Sequence, residues 1–287
     1  MLTQLELSVR PVTREDRQKL ANLIHFEAYV HRHLDWRPPL DWVGFQPYLL
    51  AEQKGLVQAA LACPPDPPSV AWIRLFAAAS SVSLERSWDV LWSETRERLA
   101  KDNKLEWVAA IPLHTWFQTL LEESSFNQTH LVVMLSWERG ARLPSENIQH
   151  DILIRSMNLD DLAAVHEVDA GSFVPVWQNS QDLLELAYRQ ASFATVAEHQ
   201  GKLVGYQIST ATPMGGHLAR LAVLPEVQGQ GVGYALVRDT LSQYERRGAQ
   251  IVTVNTQQDN LASLALYKKA GFHPTGEQYP VYQYNPH

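Results

Sequence analysis

The chain switches repeatedly between two hydrophobic patterns. In short runs every second residue is apolar, which is typical of half-buried strands, and in longer stretches apolar residues recur every three or four positions, which is typical of amphipathic helices. In the first half, the first pattern predicts strands at residues 5–9, 48–52, 56–62, 70–77, 107–111 and 130–137. The second pattern predicts helices from Thr13 to about residue 33, over 83–101 and over 114–123.

The same order of elements returns after a polar stretch that contains Pro144, and this stretch predicts a linker over residues 141–150. In the second half, strands are predicted at residues 151–155, 193–198, 203–210, 218–223, 251–255 and 281–284. Helices are predicted after the cap formed by Asn158 and Asp161, over 233–247 before Gly248, and over 261–269 before Gly271.

Short sequence matches accompany this repeated order of elements. Four of them recur 145 or 146 positions later: Arg10 with Arg155, Glu52 with Glu198, Arg74 with Arg220, and Phe126 with Phe272. A constant offset with a constant order of elements predicts two copies of one domain, residues 1–140 and 151–287.

Composition and charge narrow the class of protein. The chain has 287 residues, 45% of them apolar, and a formal net charge of −7, which disfavours nucleic acid and anionic membranes as partners. A lone cysteine, Cys63, suits a reducing compartment. The first residues have neither a cationic start nor an apolar core, and no apolar stretch is long enough to span a bilayer, so we expect a cytoplasmic protein without a signal peptide.

The stretch that points to chemistry is a glycine-rich loop between a predicted strand and a predicted helix. Its sequence is Gln228-Gly229-Gln230-Gly231-Val232-Gly233, preceded by Leu221-Ala222-Val223. Glycines permit a backbone with positive φ and a close approach of ligand, and the free N–H groups of such a loop favour an anion. The corresponding positions of the first copy are Val82, Glu85 and Ser87, so that copy is predicted to lack the anion site.

A second motif follows the loop by about thirty residues: Asn260-x-x-Ser263-x-x-Leu266-Tyr267-x-x-x-Gly271-Phe272. Together the two motifs resemble the GNAT superfamily of acyl-CoA-dependent N-acetyltransferases. Phe173, Trp177 and the tyrosine-rich end around Tyr279 resemble most the ribosomal-protein alanine acetyltransferase branch. The resemblance implies an α/β (α+β) chain of two tandem GNAT-like domains, each a mixed, mostly antiparallel twisted sheet flanked by helices.

The resemblance also implies the roles of individual residues toward acetyl-CoA, with no metal. The backbone of Leu221, Ala222 and Val223 pairs with the pantetheine arm, and a backbone N–H near Val223 meets the oxyanion. The pyrophosphate is held by the loop and the helix start, namely Gln228, Gly229, Gln230, Gly231, Val232, Gly233 and Tyr234. Asn260 bonds the pantetheine or caps its helix, beside Ser263. Tyr267 protonates or hydrogen-bonds the departing thiolate.

The general base does not follow from the resemblance. Alanine acetyltransferases carry a glutamate where this chain has Asn255, and an amide cannot accept the proton. A water chain, Glu198, His217 or Asp169 can substitute. His217 ranks first because it precedes the strand that would carry the cofactor, although a histidine after Gly215-Gly216 also fits an exposed loop.

Three functions are compatible with these patterns. The first is transfer of an acetyl group from acetyl-CoA to a primary amine of a small molecule or a peptide N-terminus, by a monomer (an internal pseudo-dimer) or a homodimer. The second is an acyl-CoA-binding sensor with weak or no catalysis, because Asn255 replaces an acid. The third is an interaction scaffold that binds no CoA, which the glycine loop disfavours.

Overall fold

The computed structural model describes residues 7–140 and 151–287, so the predicted linker lies outside the described residues. The chain forms two compact units: unit 1 comprises Met1–Thr129 with Pro280–His287, and unit 2 comprises His130–Tyr279. These units differ from the linear halves 1–140 and 151–287, because residues 130–140 belong to unit 2 and residues 280–287 belong to unit 1.

From residue 7 onward, unit 1 has three α-helices, and most of its strands lie in the first part of the chain. The helices are α1 (Arg17–Phe26), α2 (Leu84–Leu99) and α3 (Thr115–Glu123). The strands are β1 (Ser8–Pro11), β2 (Tyr29–Arg32), β3 (Tyr48–Gln53), β4 (Leu56–Ala62), β5 (Val70–Trp72), β6 (Leu75–Ala78) and β7 (Trp107–Ala110). β8 (Asn127–Glu138) begins in unit 1 and continues in unit 2.

The main sheet of unit 1 has the order β1-β3-β4-β6-β2, and every neighbouring pair is antiparallel. A second set of strands contains β5 and β7, which pair in parallel. Strand β7 also pairs antiparallel with residues 282–284 near the end of the chain. Apolar side chains on both faces of the main sheet are buried, and two separate clusters include Trp88 and Trp42. Both of these tryptophans therefore serve the core of unit 1.

Two predictions for this region were wrong. The helix expected to reach about residue 33 ends at Phe26, because Glu27 is already extended, and Tyr29–Arg32 form β2 instead. An aromatic and a β-branched residue, Tyr29 and Val30, begin this strand and favour it. The single strand expected over 70–77 is divided into β5 and β6, which pair with different partners.

The described residues of unit 2 form four α-helices and the larger sheet. The helices are α4 (Leu162–Ser172), α5 (Gln181–Gln190), α6 (Val232–Arg246) and α7 (Leu261–Lys269). The remaining strands are β9 (Ile152–Ser156), β10 (Phe193–His199), β11 (Lys202–Ala211), β12 (Gly215–Val223), β13 (Ile251–Gln257) and β14 (His273–Tyr284), of which the last continues into unit 1. Helix α5 was not predicted.

The sheet of unit 2 has the order β14-β8-β13-β12-β11-β10-β9. Neighbours from β9 to β12 pair antiparallel, as do β13 and β8, whereas β12 and β13 are parallel. The expected fold class, a mixed and mostly antiparallel sheet flanked by helices, is confirmed. Among residues 7–140 and 151–287, no helix combines the length and apolarity that a bilayer crossing requires.

Two of the four sequence matches at constant offset correspond to one ion-pair arrangement that occurs in each unit. In unit 1, Arg10 contacts Asp16 and Glu52, each at 2.7 Å. In unit 2, Arg155 contacts Asp161 and Glu198, each also at 2.7 Å. The aspartate in each case also closes a capping box, at Thr13 and at Asn158. Both units therefore tie the first strand, the first helix and the first hairpin together in the same way.

Candidate active site

Unit 2 contains a gap between β12 and β13. Their parallel pairing runs from Gly215 opposite Ile251 to Leu218 opposite Val254 and then stops. Beyond this point, β12 remains paired with β11 as far as Val223, and β13 remains paired with β8 as far as Gln257. A register shift in the β11–β12 pairing lies at the same level. The two strands consequently diverge, and one edge of residues 220–223 is unpaired in the sheet.

The backbone groups that face this gap follow from strand alternation. The N–H of Leu224 donates to the carbonyl of Val204 at 2.9 Å, so the backbone of residue 224 faces β11. Because successive residues point their backbone groups to opposite sides, Leu221 and Val223 present theirs to the gap. The side-chain amide of Gln228 donates to the Val223 carbonyl at 2.9 Å and holds the loop against this edge.

The glycine loop connects the open edge to helix α6. Gly229 and Gly231 have φ of 76° and 89°, and a Cβ at either position would meet nothing within 4 Å. These glycines are therefore needed for backbone conformation and not for space. Gly233 differs, since its Cβ would lie 3.2 Å from the Leu266 side chain on α7. The loop delivers the unpaired N–H groups of the first turn of α6 to the end of the gap.

Helix α7 places Tyr267 behind the loop. Asn260 caps the helix, its side chain accepting from the Ser263 N–H at 3.0 Å. Tyr267 is 4% exposed, packs against Phe272, and burial raises the pKa of its hydroxyl. Within the described residues this hydroxyl has no hydrogen-bond partner. It is a neutral proton donor at neutral pH with its hydrogen-bonding capacity unused.

His217 lies on β12, half-buried, and not on an exposed loop. Its Nδ1 is 2.9 Å from the hydroxyl of Thr253 on the parallel neighbour β13, one residue pair before the strands diverge. Burial lowers the pKa of this imidazole, and its hydrogen bonds to the Asn255 side chain and the Thr253 backbone offset part of the shift. The histidine is therefore largely neutral at pH 7 and close to Asn255, the position where an acid was expected.

Two other candidate bases are committed to ion pairs. Glu198 binds Arg155, as its counterpart Glu52 binds Arg10, which confirms a structural role for Glu198 in the hairpin. Asp169 is fully buried and accepts hydrogen bonds from Arg220, Tyr206 and the Asn179 N–H. Both oxygens of the Asp169 carboxylate are therefore already engaged by donors within unit 2.

Sequence reasoning missed Arg220 and Tyr206. The sequence held one signal for Arg220, its match with Arg74 at the constant offset. Among the described residues, no group of three His, Cys, Asp or Glu side chains is arranged to hold a metal ion.

The matching region of unit 1 has no gap. Strand β6, the counterpart of the open end of β12, pairs with β4 on one side and with β2 on the other. Each of the four residues of β2 is opposite a residue of β6, from Tyr29 with Ala78 to Arg32 with Leu75. The start of helix α2 is also occupied, because the Ser83 side chain accepts from the Arg86 N–H at 3.1 Å. Hydrogen bonds from its own backbone N–H and from Ser83 lower the pKa of Glu85, which keeps a carboxylate at this helix end.

Comparisons with known proteins agree with this geometry. Residues 162–272 match the family model described as the acetyltransferase (GNAT) family. Over 119 residues the chain is 26% identical to the ribosomal protein bS18 alanine N-acetyltransferase of Escherichia coli K12, covering 42% of this chain and 79% of that enzyme. Over 176 residues it is 25% identical to the mycothiol acetyltransferase of Renibacterium salmoninarum, covering 55% of this chain and 52% of that protein.

The fold of the whole chain also has solved counterparts. A tandem GNAT protein from the clavulanic acid biosynthesis pathway superimposes with a TM-score of 0.65 at 15% identity, covering 98% of this chain and 99% of that one. At this identity the likeness concerns the fold, and it extends over both units. Residues 162–272 thus match the acetyltransferase (GNAT) family, and the relatives that this region resembles are named acetyltransferases.

Proposed function

We propose that unit 2 transfers an acetyl group from acetyl-CoA to a primary amine, with the reaction taking place in the gap between β12 and β13. The observation that carries this proposal is the combination, in unit 2, of an unpaired strand edge, a glycine loop at a helix start and a buried tyrosine whose hydroxyl has no partner among the described residues. Each of these features is incomplete without a ligand that offers amide groups, phosphates and a leaving thiolate.

The donor is accommodated by backbone groups. The pantetheine amides pair with Leu221 and Val223 as an added strand would, and the pyrophosphate accepts from the N–H groups between Gly229 and Tyr234. Asn260 is engaged by its own helix, so its contribution is to fix the start of α7 and thereby the position of Tyr267.

The reaction proceeds by direct attack. The neutral amine adds its lone pair to the thioester carbonyl, and a backbone N–H of the open edge stabilises the oxyanion. On collapse the carbon–sulfur bond breaks, and Tyr267 donates its proton to the departing thiolate. The ammonium proton of the intermediate passes to His217. If Nδ1–H of His217 donates to Thr253, then Nε2 keeps the lone pair that this step needs.

One acetyl-CoA per chain follows from the comparison of the two units. In unit 1 the corresponding strand edge is paired with β2, and the corresponding helix start is capped by Ser83 and carries Glu85. An acyl-CoA would have to displace a strand and overcome a carboxylate there. The acceptor class is supported only coarsely, because one relative is named for a protein alanine and another for a small molecule.

The alternative is a sensor that binds acyl-CoA without turnover, which Asn255 favours because it cannot accept a proton. Release of CoA from acetyl-CoA, measured with a panel of primary amines and peptides with free N-termini, separates the two. Amine-dependent release with at least one acceptor supports the transferase. Tight binding of acetyl-CoA with no amine-dependent release across the panel supports the sensor and overturns the proposal.

A further inference from the structure

Unit 1 contains a buried arginine whose surroundings differ from those of its match in unit 2. Arg74 matches Arg220, whose Nε donates to Asp169 at 2.8 Å. The 145-residue offset between the capping-box aspartates of the two units places Ile24 at the position of Asp169. Arg74 instead forms an ion pair with Asp35 at 2.9 Å, with both side chains almost fully buried. Its Nε is left without a hydrogen-bond partner among the described residues.

A second arginine lies beside the first and has no acidic partner for its guanidinium. The guanidinium carbons of Arg37 and Arg74 lie 4.4 and 4.6 Å from the centroid of the same ring, that of Trp42. Among residues 7–140 and 151–287, no carboxylate forms an ion pair with Arg37, and its buried Nη1 has no hydrogen-bond partner. Because a charge removed from water is normally paired, this guanidinium indicates a partner from outside the described chain.

The indole of Trp42 supplies a third unpartnered donor. Trp42 is fully buried, and its Nε1 has no hydrogen-bond partner in the described structure. Arginine and tryptophan side chains donate hydrogen bonds and cannot accept them. Three unpaired buried donors around one ring therefore indicate a missing acceptor. A water molecule would accept from these N–H groups but would leave the charge of Arg37 unpaired, so the missing acceptor is anionic.

The acids nearby limit the charge of this acceptor. Burial lowers the pKa of the Arg74 guanidinium, and Asp35 and Asp66 oppose this shift, so two carboxylates already act on this cation. The Asp66 carbonyl also accepts from Nη2 of Arg74 at 3.1 Å. Only the charge of Arg37 remains for a ligand, and the two carboxylates would repel a dianion. A carboxylate, with a single negative charge, therefore fits better than a phosphate.

The cluster reaches the surface on the side of Arg37. Arg37 is half-buried, and its guanidinium carbon also lies 4.5 Å from the ring centroid of Phe45. Phe45 is 42% exposed, and its ring contacts that of Trp42 edge to face at 5.2 Å. A ligand can thus meet the guanidinium from solvent while its apolar part covers an exposed aromatic ring.

We propose that Arg37, Trp42 and Phe45 form a binding site in unit 1 for an organic monocarboxylate with a flat, apolar body. Arg37 pairs with the carboxylate, Nε1 of Trp42 donates to it, and the body lies against Phe45. Arg74 supports the Trp42 ring through its cation–π contact. The site uses no residue of the gap in unit 2, so this inference does not depend on acetyl transfer.

Isothermal titration calorimetry of the full chain, with benzoate and phenylacetate as probes, tests the ligand class. We expect saturable binding of at least one of these carboxylates. Benzamide has the same flat body without the charge and should bind at least about tenfold more weakly, because it cannot form the ion pair. Inorganic phosphate should also bind more weakly than the carboxylate.

Substitutions test the location of the site. Arg37→Gln should weaken binding of the carboxylate at least about tenfold, and Trp42→Phe, which keeps a ring but removes the N–H, should weaken it about threefold to tenfold. Arg37→Lys keeps the charge and should have an intermediate effect, which keeps the test usable if Arg37→Gln folds poorly. Arg17→Gln is the matched control, because Arg17 is an exposed arginine of unit 1 that pairs with Asp41 at 2.8 Å, and it should change nothing.

Three results would overturn the site: no saturable binding of either carboxylate, equal binding of benzamide, or binding that is unchanged in Arg37→Gln. Phosphate binding tighter than that of both carboxylates would overturn the ligand class. The titrations contain no acetyl-CoA and no amine, so a failure here leaves the proposed transferase untouched, and absence of transfer leaves the carboxylate site untouched.

Discussion

Tyr267 is a buried residue, and its hydroxyl has a raised pKa and lacks a partner in the described part of the chain. We expect Tyr267→Phe to lower kcat about 100-fold with the acetyl-CoA KM nearly unchanged, because a general acid acts in the transition state more than in binding. Steady-state kinetics measures both constants. Tyr188→Phe is the control, since its hydroxyl contacts the Met157 carbonyl in unit 2 and not the gap. A fall in donor affinity with kcat unchanged would assign Tyr267 to binding alone.

The neutral state of His217 determines how kcat should depend on pH. Its pKa lies below the ordinary imidazole value of about 6.5, so the base is already deprotonated at pH 7, and kcat should fall only as the pH drops below that value. His217→Gln should lower kcat about 100-fold and remove this acidic limb. His273→Gln, at an exposed histidine of β14, is the control. An unchanged acidic limb in His217→Gln would contradict the assignment of the base.

Asn255→Glu extends the same test. This change introduces the acid that the alanine acetyltransferases carry, next to His217. In the His217→Gln background, it should restore part of the lost kcat if a proton acceptor is what that site requires. No recovery in the double variant, with acetyl-CoA binding intact, would indicate that the amine loses its proton elsewhere.

At the scale of elements, β2 accounts for the difference between the units. Restoring the loop residues in unit 1, by Val82→Gln with Glu85→Gly and Ser87→Gly, should leave the stoichiometry at one acetyl-CoA per chain, because β6 remains paired with β2. Isothermal titration calorimetry of the triple variant measures this. A second equivalent bound would mean that the loop alone determines binding.

Elements with local signals could be predicted from the sequence, and those fixed by distant partners could not. Both capping boxes, the hairpins β3–β4 and β10–β11, and the glycine loop depend on residues close together in sequence. β2 was missed because its stabilising partner, β6, lies more than forty residues away. The same reason hides the Arg220–Asp169 pair, which spans 51 positions.

The local pattern equally did not predict that residues 130–140 belong to unit 2 and residues 280–287 to unit 1. The sequence predicted a strand at residues 130–137 and a short strand at 281–284, but not their partners. β8 pairs with β13 of unit 2, and the end of β14 pairs with β7 of unit 1. Nothing in the local pattern of either strand specifies which sheet it joins, since pairing depends on the register of the completed sheet.

At the scale of the whole molecule, unit 1 should be sensitive to acid. Burial lowers the pKa of His31 to about 3, so the unfolded chain binds a proton that the folded chain rejects between pH 6.5 and 3. The free energy of unfolding should therefore decrease as the pH is lowered through this window, by up to about 2–3 kcal/mol from pH 6.5 to 4.5 for this residue. His31→Phe should reduce the loss.

Urea unfolding at pH 7 and 4.5, followed by tryptophan fluorescence, measures this effect, since seven of the nine tryptophans belong to unit 1. The comparison uses the difference between the two pH values, so a constant cost of the substitution, such as the lost contact of His31 with the Ile73 carbonyl, cancels. Equal losses in the wild-type protein and His31→Phe would contradict the buried neutral state.

The central claim is that one gap, in unit 2, both binds acetyl-CoA and transfers from it. Its most direct test compares Gly231→Glu with Gly248→Glu, two changes at left-handed glycines with φ of 89° and 80°, before and after the same helix α6. Acetyl-CoA titration together with amine-dependent CoA release should show both activities lost in Gly231→Glu and retained in Gly248→Glu, with one acetyl-CoA bound per wild-type chain. Binding and release that survive Gly231→Glu, or two equivalents bound by the wild-type chain, would contradict the account.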